Sequence, residues 1–420
     1  MPFEMIRGAL ACDGVSLEDL AREHGTPLYV YSAATLIENI RRLQSAFAGF
    51  DALAAYSVKA NSNLAVLRLA LREGCGLDIV SGGELLRARA AGAAMDRVIF
   101  AGVGKSEAEI AEGLRAGIGM FNVESTAEVS QIDAVAQALG RRARIALRVN
   151  PHVEVETHRY ITTGTAENKF GIDFTLLPQA VEAVDRSKMI DLAGLHCHIG
   201  SQILDAAPYR RAAERAGELI DELRRQGHTV THLNLGGGHG IAYQAGQSAL
   251  SPAQVADAVG PTLRRLRVKL ILEPGRSLAG PAGVLLTRVM IIKRGVKKTF
   301  AIVDAAMNDL MRPCLYGAHH RIEPVREDVR GNTCTEMDIV GPVCESSDFL
   351  AKDRPMPMLS EGDLLAVRDA GAYGMVMASN YNTRARAAEL LVLDGQAHVV
   401  RPRETVESLL AADRIPSALA

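Results

Sequence analysis

The sequence predicts an α/β protein: a (β/α)8 barrel of the TIM type, followed by a second, mainly antiparallel β domain. Three observations predict it. From residue 53 to 275, short apolar β-branched runs alternate with Ala/Leu/Arg/Glu-rich helical stretches, and eight such units match one barrel of roughly 250 residues. Polar residues collect at the C-terminal ends of the runs, the face where barrel active sites lie. After residue 280 the runs are no longer separated by long helices and are punctuated by Gly, Pro and Asn.

Taken in order, the expected strands are 53–59, 76–81, 97–102, 119–124, 143–150, 191–199, 232–236 and 269–273. Helical patterns at 64–73, 83–92, 106–116, 127–139, 208–226 and 252–266 supply crossovers. Strand ends carry Lys59, Asp78 and Ser81, Gly102, Asn122 and Glu124, Asn150, His196 and His198, Gly236–Gly238, and Glu273. An open doubly wound sheet is the alternative, but it does not require polar residues at one end of every strand. Segments 284–294, 297–304, 334–341 and 363–369 form the second domain, and the strand-like Pro27–Tyr31 precedes a helical stretch at 35–47. This strand suits either domain. The division is 33–278 for the barrel and 1–32 plus 279–420 for the β-rich part.

The chain has 420 residues, 48% hydrophobic and 23% charged, with a formal net charge of -2. Near-neutrality gives no electrostatic basis for binding nucleic acid or an anionic membrane. No uncharged apolar run is long enough to span a bilayer. Glu4 and Arg7 stand where a signal peptide needs apolar residues. Six scattered cysteines without a C-x-x-C pair imply reduced thiols, and with them a cytoplasmic protein.

Lys59 ends the apolar run Leu53–Val58. An amine there either snorkels to solvent or acts as a nucleophile towards a carbonyl. In Asn234–Gly240 the glycines admit close approach of backbone N–H groups to a phosphate, or simply make a tight turn. Glu273-Pro274-Gly275-Arg276 closes the eighth strand. The Glu273 carboxylate can hold a pyridine nitrogen protonated, by about 4 kcal/mol at about 4 Å and an effective dielectric of about 20. Its alternative is a strand-end ion pair with Arg276. His196 and His198, two apart in an expected strand, share a face; they suit either a ring stacked on a flat cofactor or two legs of a metal site. No further ligands accompany them, so no metal is expected. Ser201 lies just beyond as a phosphate donor. Arg312 and Tyr316, four apart, share a helical face that suits a carboxylate.

Taken together, Ser57-Val58-Lys59-Ala60-Asn61, Ser81-Gly82-Gly83-Glu84, His196–Gln202, Gly236–Gly238, Glu273–Arg276, Arg312–Tyr316, Cys344-Glu345-Ser346 and Gly371-Ala372-Tyr373 resemble, in order, the diaminopimelate decarboxylases. These are pyridoxal-phosphate enzymes of the alanine-racemase-like fold. His239 departs from the leucine more usual there. The resemblance implies that Lys59 bonds the cofactor aldehyde, His198 lies against its ring with His196 beside it, and Glu273 meets the ring nitrogen. It places Ser201, Gly237, Gly238, Gly240, Gly275, Arg276 and Tyr373 around the phosphate. Arg276, Arg312, Tyr316, Glu345, Ser346 and Tyr373 would bind substrate, with Cys344 near the reacting carbon. The implied reaction converts meso-2,6-diaminopimelate to L-lysine and CO2, the last step of lysine biosynthesis, in a homodimer with shared active sites. A decarboxylase of ornithine, lysine, arginine or carboxynorspermidine shares the fold. Those acting on simple diamine precursors usually carry Asp after the cysteine, whereas this chain has Glu345-Ser346. An inactive cofactor-binding regulator is the non-enzyme alternative; it would usually lack the lysine or the cysteine. The stretch 157–171 is either a lid or a fixed loop.

Overall fold

The computed structural model describes residues 3–151 and 169–419. It divides into two compact units, one of residues 37–242 and 248–278, the other of 1–36, 243–247 and 279–420.

The first unit is a closed barrel of eight strands, each parallel to its neighbours. They run Ala52–Ser57, Gly76–Ile79, Val98–Phe100, Met120–Val123, Ala143–Arg148, Ile190–His196, His232–Asn234 and Lys269–Leu272. The closure excludes the open doubly wound sheet. Leu53 and Ala55, two apart on one face, meet Ile99, Met120, Ala146, Ala193 and Ile271 in a buried cluster. Mostly small and medium side chains fill a barrel of this size without leaving a channel. Local chemistry starts the helices. Ser106 and Glu109 form a reciprocal cap on Glu107–Ala116, Ser125 caps Thr126–Leu139, and Ser251 with Gln254 caps Pro252–Leu266. A helix absent from the sequence expectation, Leu177–Arg186, buries Leu177, Ala180, Val181 and Val184.

All eight strands stop short of their expected C-terminal bounds, and at two of them this changes how a candidate residue is placed. The first strand stops at Ser57, and Val58–Ala60 is a turn of 3-10 helix. Ser57 is the last residue paired with the second strand, and its N–H goes to the Pro274 carbonyl. The sixth strand stops at His196, so the alternation that was to place His196 and His198 on one face does not extend to His198.

The second unit is β-rich. Gly283–Arg294 is its longest strand, pairing antiparallel with Thr299–Val303, Leu364–Val367 and the N-terminal Leu28–Ser32. Leu28–Ser32 therefore belongs to this unit, and its other edge pairs parallel with Ala388–Leu393. Strands Ile322–Pro324, Phe349–Pro357, Ala388–Leu393 and Gln396–Arg401 were not expected from the sequence. Leu28, Val30, Val284, Leu286, Ala366 and Leu390 anchor its core.

Candidate active site

Among the described residues, no helix is long and apolar enough to cross a membrane, and no group of three or more His, Cys, Asp or Glu side chains is placed to hold a metal ion. The candidate residues of the barrel gather at the C-terminal ends of its strands. Lys59 Nζ, on the 3-10 turn, lies 3.4 Å from Asp78 Oδ2, and its side chain keeps 40% of its exposure. It is therefore neither a buried core cation nor a fully solvated surface lysine. Ser57 Oγ donates to the same Asp78 oxygen at 2.7 Å. Burial, then the nearby Glu273 charge, pushes the Asp78 carboxyl up to about 6; Lys59 opposes the shift. Glu84, which accepts from the Val80 N–H, is likewise pushed up to about 7, mainly by burial.

Glu273 is buried, with 4% of its surface exposed. The amides of Asn122 and Asn234 both donate to its Oε1, at 2.9 and 2.5 Å. His196 Nε2 stands 3.4 Å from Oε2. Burial alone would raise this carboxyl, but His196, Lys59 and the Asn234 amide outweigh it and hold Glu273 well below the usual carboxylate range. The result is a fixed anion inside the barrel mouth. Nη2 of Arg276 donates to Ser201 Oγ at 2.9 Å. The mouth thus holds an anion at Glu273 and a Ser201–Arg276 pair.

His198 accepts from the Gly237 N–H through Nδ1 at 3.3 Å. Burial, then the charges of Arg148 and Lys59, pushes its pKa well below the usual value, so the ring is neutral. Arg148 itself pairs with Glu124 at 2.8 Å, and Glu124 also accepts from the Gly102 and Gly171 N–H groups. In the glycine loop, a Cβ on Gly237 would lie 2.1 Å from the Glu273 carbonyl oxygen, and one on Gly238 would lie 2.3 Å from that of Gly200. Only glycine permits this loop to pass so close to both neighbours. His239 is buried and stacks on Tyr209 at 5.1 Å; burial pushes it down to about 4. A neutral, packed imidazole does the work of the apolar residue usual there. Gly240 donates its N–H to the Ile203 carbonyl, and Gly275 immediately precedes the short helix Arg276–Ala279.

These features fit pyridoxal phosphate. An amine for the aldehyde, a fixed anion for the ring nitrogen, a neutral flat ring and a glycine cradle with Ser201 and Arg276 stand in one barrel mouth.

The remaining candidates lie in the β-rich unit. Arg312 and Tyr316 bracket the short helix Arg312–Tyr316, which ends at Gly317 with φ 59°. Cys344, Glu345 and Ser346 are exposed between strands Cys334–Val340 and Phe349–Pro357. The loop is nonetheless shaped: Asp348 accepts the Met307 and Val343 N–H groups, Asn382 accepts the Cys344 N–H, and Tyr381 donates to Glu345. Tyr373 is half-buried, with φ 57°. Of the 157–171 stretch, residues 157–168 lie outside the described residues.

Sequence reasoning assigned no role to Asp78, Asn122, Asn234 or Arg148. Asp78 and Asn122 were visible as polar strand ends, and Asn234 as the start of the glycine loop. Arg148 sits inside an apolar run, where an arginine is itself a signal.

Residues 33–280 match the family model "Pyridoxal-dependent decarboxylase, pyridoxal binding domain". The chain is 49% identical to the diaminopimelate decarboxylase of Neisseria meningitidis serogroup B, covering 96% of each protein. It is 45% identical to that of Aquifex aeolicus over 96% of this chain and 95% of the other. Among solved structures, diaminopimelate decarboxylase from M. jannaschii in co-complex with L-lysine superposes with a TM-score of 0.94 at 38% identity, covering 100% of this chain and 99% of that one. The Helicobacter pylori enzyme complexed with L-lysine gives 0.90 at 38% identity, over 94% of this chain and 98% of that one. With a barrel mouth built for pyridoxal phosphate and relatives that match from end to end, this chain belongs to the pyridoxal-dependent decarboxylases, in the family of the diaminopimelate decarboxylases.

Proposed function

We propose that this protein decarboxylates meso-2,6-diaminopimelate to L-lysine and CO2 with pyridoxal phosphate, the last step of lysine biosynthesis. The observation that carries the chemistry is the buried Glu273 anion in the same barrel mouth as Lys59. When bound, the cofactor supplies the electron sink for the pair released as CO2 leaves. Lys59 would hold the cofactor's aldehyde and give way to the substrate amine, and Asp78, 3.4 Å from Nζ, orients the lysine amine. Glu273 would keep the ring nitrogen of the cofactor protonated, and the neutral His198 ring, with His196 beside it, would hold the ring. Ser201, Gly237, Gly238, Gly240, Gly275, Arg276 and Tyr373 hold the phosphate.

The substrate's distal end is a zwitterion. Arg276, Arg312, Tyr316 and Tyr373 take its carboxylate, and Glu345 with Ser346 its ammonium. On this reading meso-diaminopimelate is turned over with a kcat/KM at least roughly 10^3-fold above L-ornithine or L-lysine, because a carboxylate-binding site rejects ligands that leave its arginine unpaired. Steady-state assays with the three substrates check it; comparable values would overturn the assignment.

We further propose a homodimer with shared sites, in which the exposed Cys344-Glu345-Ser346 loop of one copy completes the site of the other and Cys344 delivers a proton to the reacting carbon. The support is the exposure of three polar residues on a shaped loop. Mixed Lys59→Ala and Cys344→Ala subunits, each inactive alone, should then regain about a quarter of the sites through hybrid dimers. No recovery despite proven subunit exchange would refute sharing. A cytoplasmic location is supported by six cysteines that are all free thiols; recovery from a secreted fraction would contradict it.

A further inference from the structure

Arg312 does not stand alone in the β-rich unit. Its Nη1 lies 2.8 Å from His320 Nε2, and its guanidinium lies 5.0 Å from the Tyr243 ring centroid. His320 is fully buried, with its Nδ1 2.8 Å from the main-chain oxygen of Arg368. Its ring meets Tyr243 edge-on, with centroids 5.4 Å apart and an interplanar angle of 74°. His319 Nδ1 donates to the Tyr243 carbonyl at 3.1 Å, which holds the third member of the cluster.

The partners dictate the proton. A main-chain carbonyl only accepts, so Nδ1 of His320 carries the hydrogen. A guanidinium only donates, so Nε2 must offer its lone pair. His320 is thereby held as the neutral Nδ1–H tautomer, anchored to the backbone on one side and receiving Arg312 on the other. A guanidinium is planar, with its five N–H donors in a fixed fork. Engaging Nη1 at one point and holding the guanidinium carbon over the Tyr243 ring at another restricts the direction of the whole fork.

We propose that His320 is the positioning residue for Arg312, and that the His320–Arg312–Tyr243 cluster fixes the fork that selects ligands carrying a carboxylate at their distal end. The inference rests on the reading of this chain as a diaminopimelate decarboxylase, in which that carboxylate persists from substrate to product. Removal of CO2 from the D-centre leaves the L-centre intact, so L-lysine still presents the group that Arg312 grips. Cadaverine, the same diamine chain without any carboxylate, does not.

The experiment uses the pyridoxal-phosphate-loaded enzyme and two variants. His320→Phe keeps a ring in the buried space but removes both nitrogens. His320→Gln restores an amide oxygen for Arg312 and an N–H for the carbonyl. For His320→Phe, KM for meso-diaminopimelate and the dissociation constant for L-lysine, measured by calorimetry, should both rise at least about tenfold. Meanwhile kcat should stay within about threefold, and cadaverine binding and the cofactor's near-visible absorbance should be unchanged. His320→Gln should recover most of the lost affinity. Equal weakening of L-lysine and cadaverine, or a fall in kcat at constant KM, would overturn the proposal. So would loss of the cofactor absorbance in both variants, since that marks a general structural role. A wild-type protein that binds L-lysine but does not decarboxylate meso-diaminopimelate would instead sink the functional reading, and the calorimetric comparison would still decide the role of His320.

Discussion

Lys59→Ala is expected to lower kcat by at least roughly 10^3-fold and to abolish the near-visible absorbance of lysine-bound pyridoxal phosphate. The amine is the only group in the barrel's described candidate set that can bond an aldehyde. Its 3-10 turn carries it out of the sheet to within 3.4 Å of Asp78. The fold should survive the change. Lys59 is only partly buried, and Asp78, already pushed up to about 6 by burial, can take a proton when the neighbouring cation is lost. Spectra and turnover of the purified variant, with Lys59→Arg beside it, provide the check. Arginine keeps the charge near Asp78 without a usable nucleophile, so both variants should be inactive. Activity within tenfold of wild type in either would refute the assignment of Lys59.

Glu273→Gln is expected to lower kcat by roughly 10^2- to 10^3-fold while cofactor remains bound. The glutamine oxygen can still accept from Asn122 and Asn234, which both donate to one carboxylate oxygen, so the substitution mainly removes charge. A charge about 4 Å from the ring nitrogen contributes about 4 kcal/mol at an effective dielectric of about 20, or about three pK units on that nitrogen. Without it the ring loses its proton in the neutral range and becomes a poorer acceptor of electrons. The sign follows from the folded protein: Glu273 is held below the usual carboxylate range, so its charge persists throughout neutral pH, and wild-type activity should show no loss assignable to its protonation above pH 5. A pH titration of the bound cofactor's absorbance, together with kcat, tests this. A kcat within tenfold of wild type, with an unshifted titration, would remove Glu273 from the chemistry.

Much of the barrel was legible because its signal is local. Each strand is a short apolar run, each helix a period of 3.6, four of them with a serine at the start, and the eight expected strands differ from the observed ones chiefly at their ends. Those ends matter most for the site. Lys59 lies beyond its strand because pairing stops at Ser57, where the Ser57 N–H turns to Pro274, a residue more than two hundred positions away. The helix Leu177–Arg186 carries Leu177, Ala180, Val181 and Val184 at helical spacing, a signal as local as those of the other helices.

The β-rich unit was harder. Phe349–Pro357 carries Lys352, Asp353, Arg354 and Pro355, which blur its alternation, yet it pairs with Cys334–Val340 along most of its length. The hairpin Ala388–Leu393 to Gln396–Arg401 turns at Asp394-Gly395, with φ of 51° and 74°, where Asp-Gly is the local turn signal.

By itself the sequence determined the barrel, the second β-rich part, and the positions of a lysine after the first strand and a carboxylate at the end of the eighth. The elements follow from periodicity, and the tasks expected of the lysine and the carboxylate came from the resemblance of the ordered motifs. Only the tertiary structure decided who stands beside them. Asn122 and Asn234 reach Glu273 from two other strands, Asp78 reaches Lys59 from the next strand, and His320 reaches Arg312 from beyond the end of its helix. A sequence carries a group's chemistry in its side chain. Its charge state and direction are set by neighbours within about 4 Å, and in a barrel those neighbours come from far along the chain.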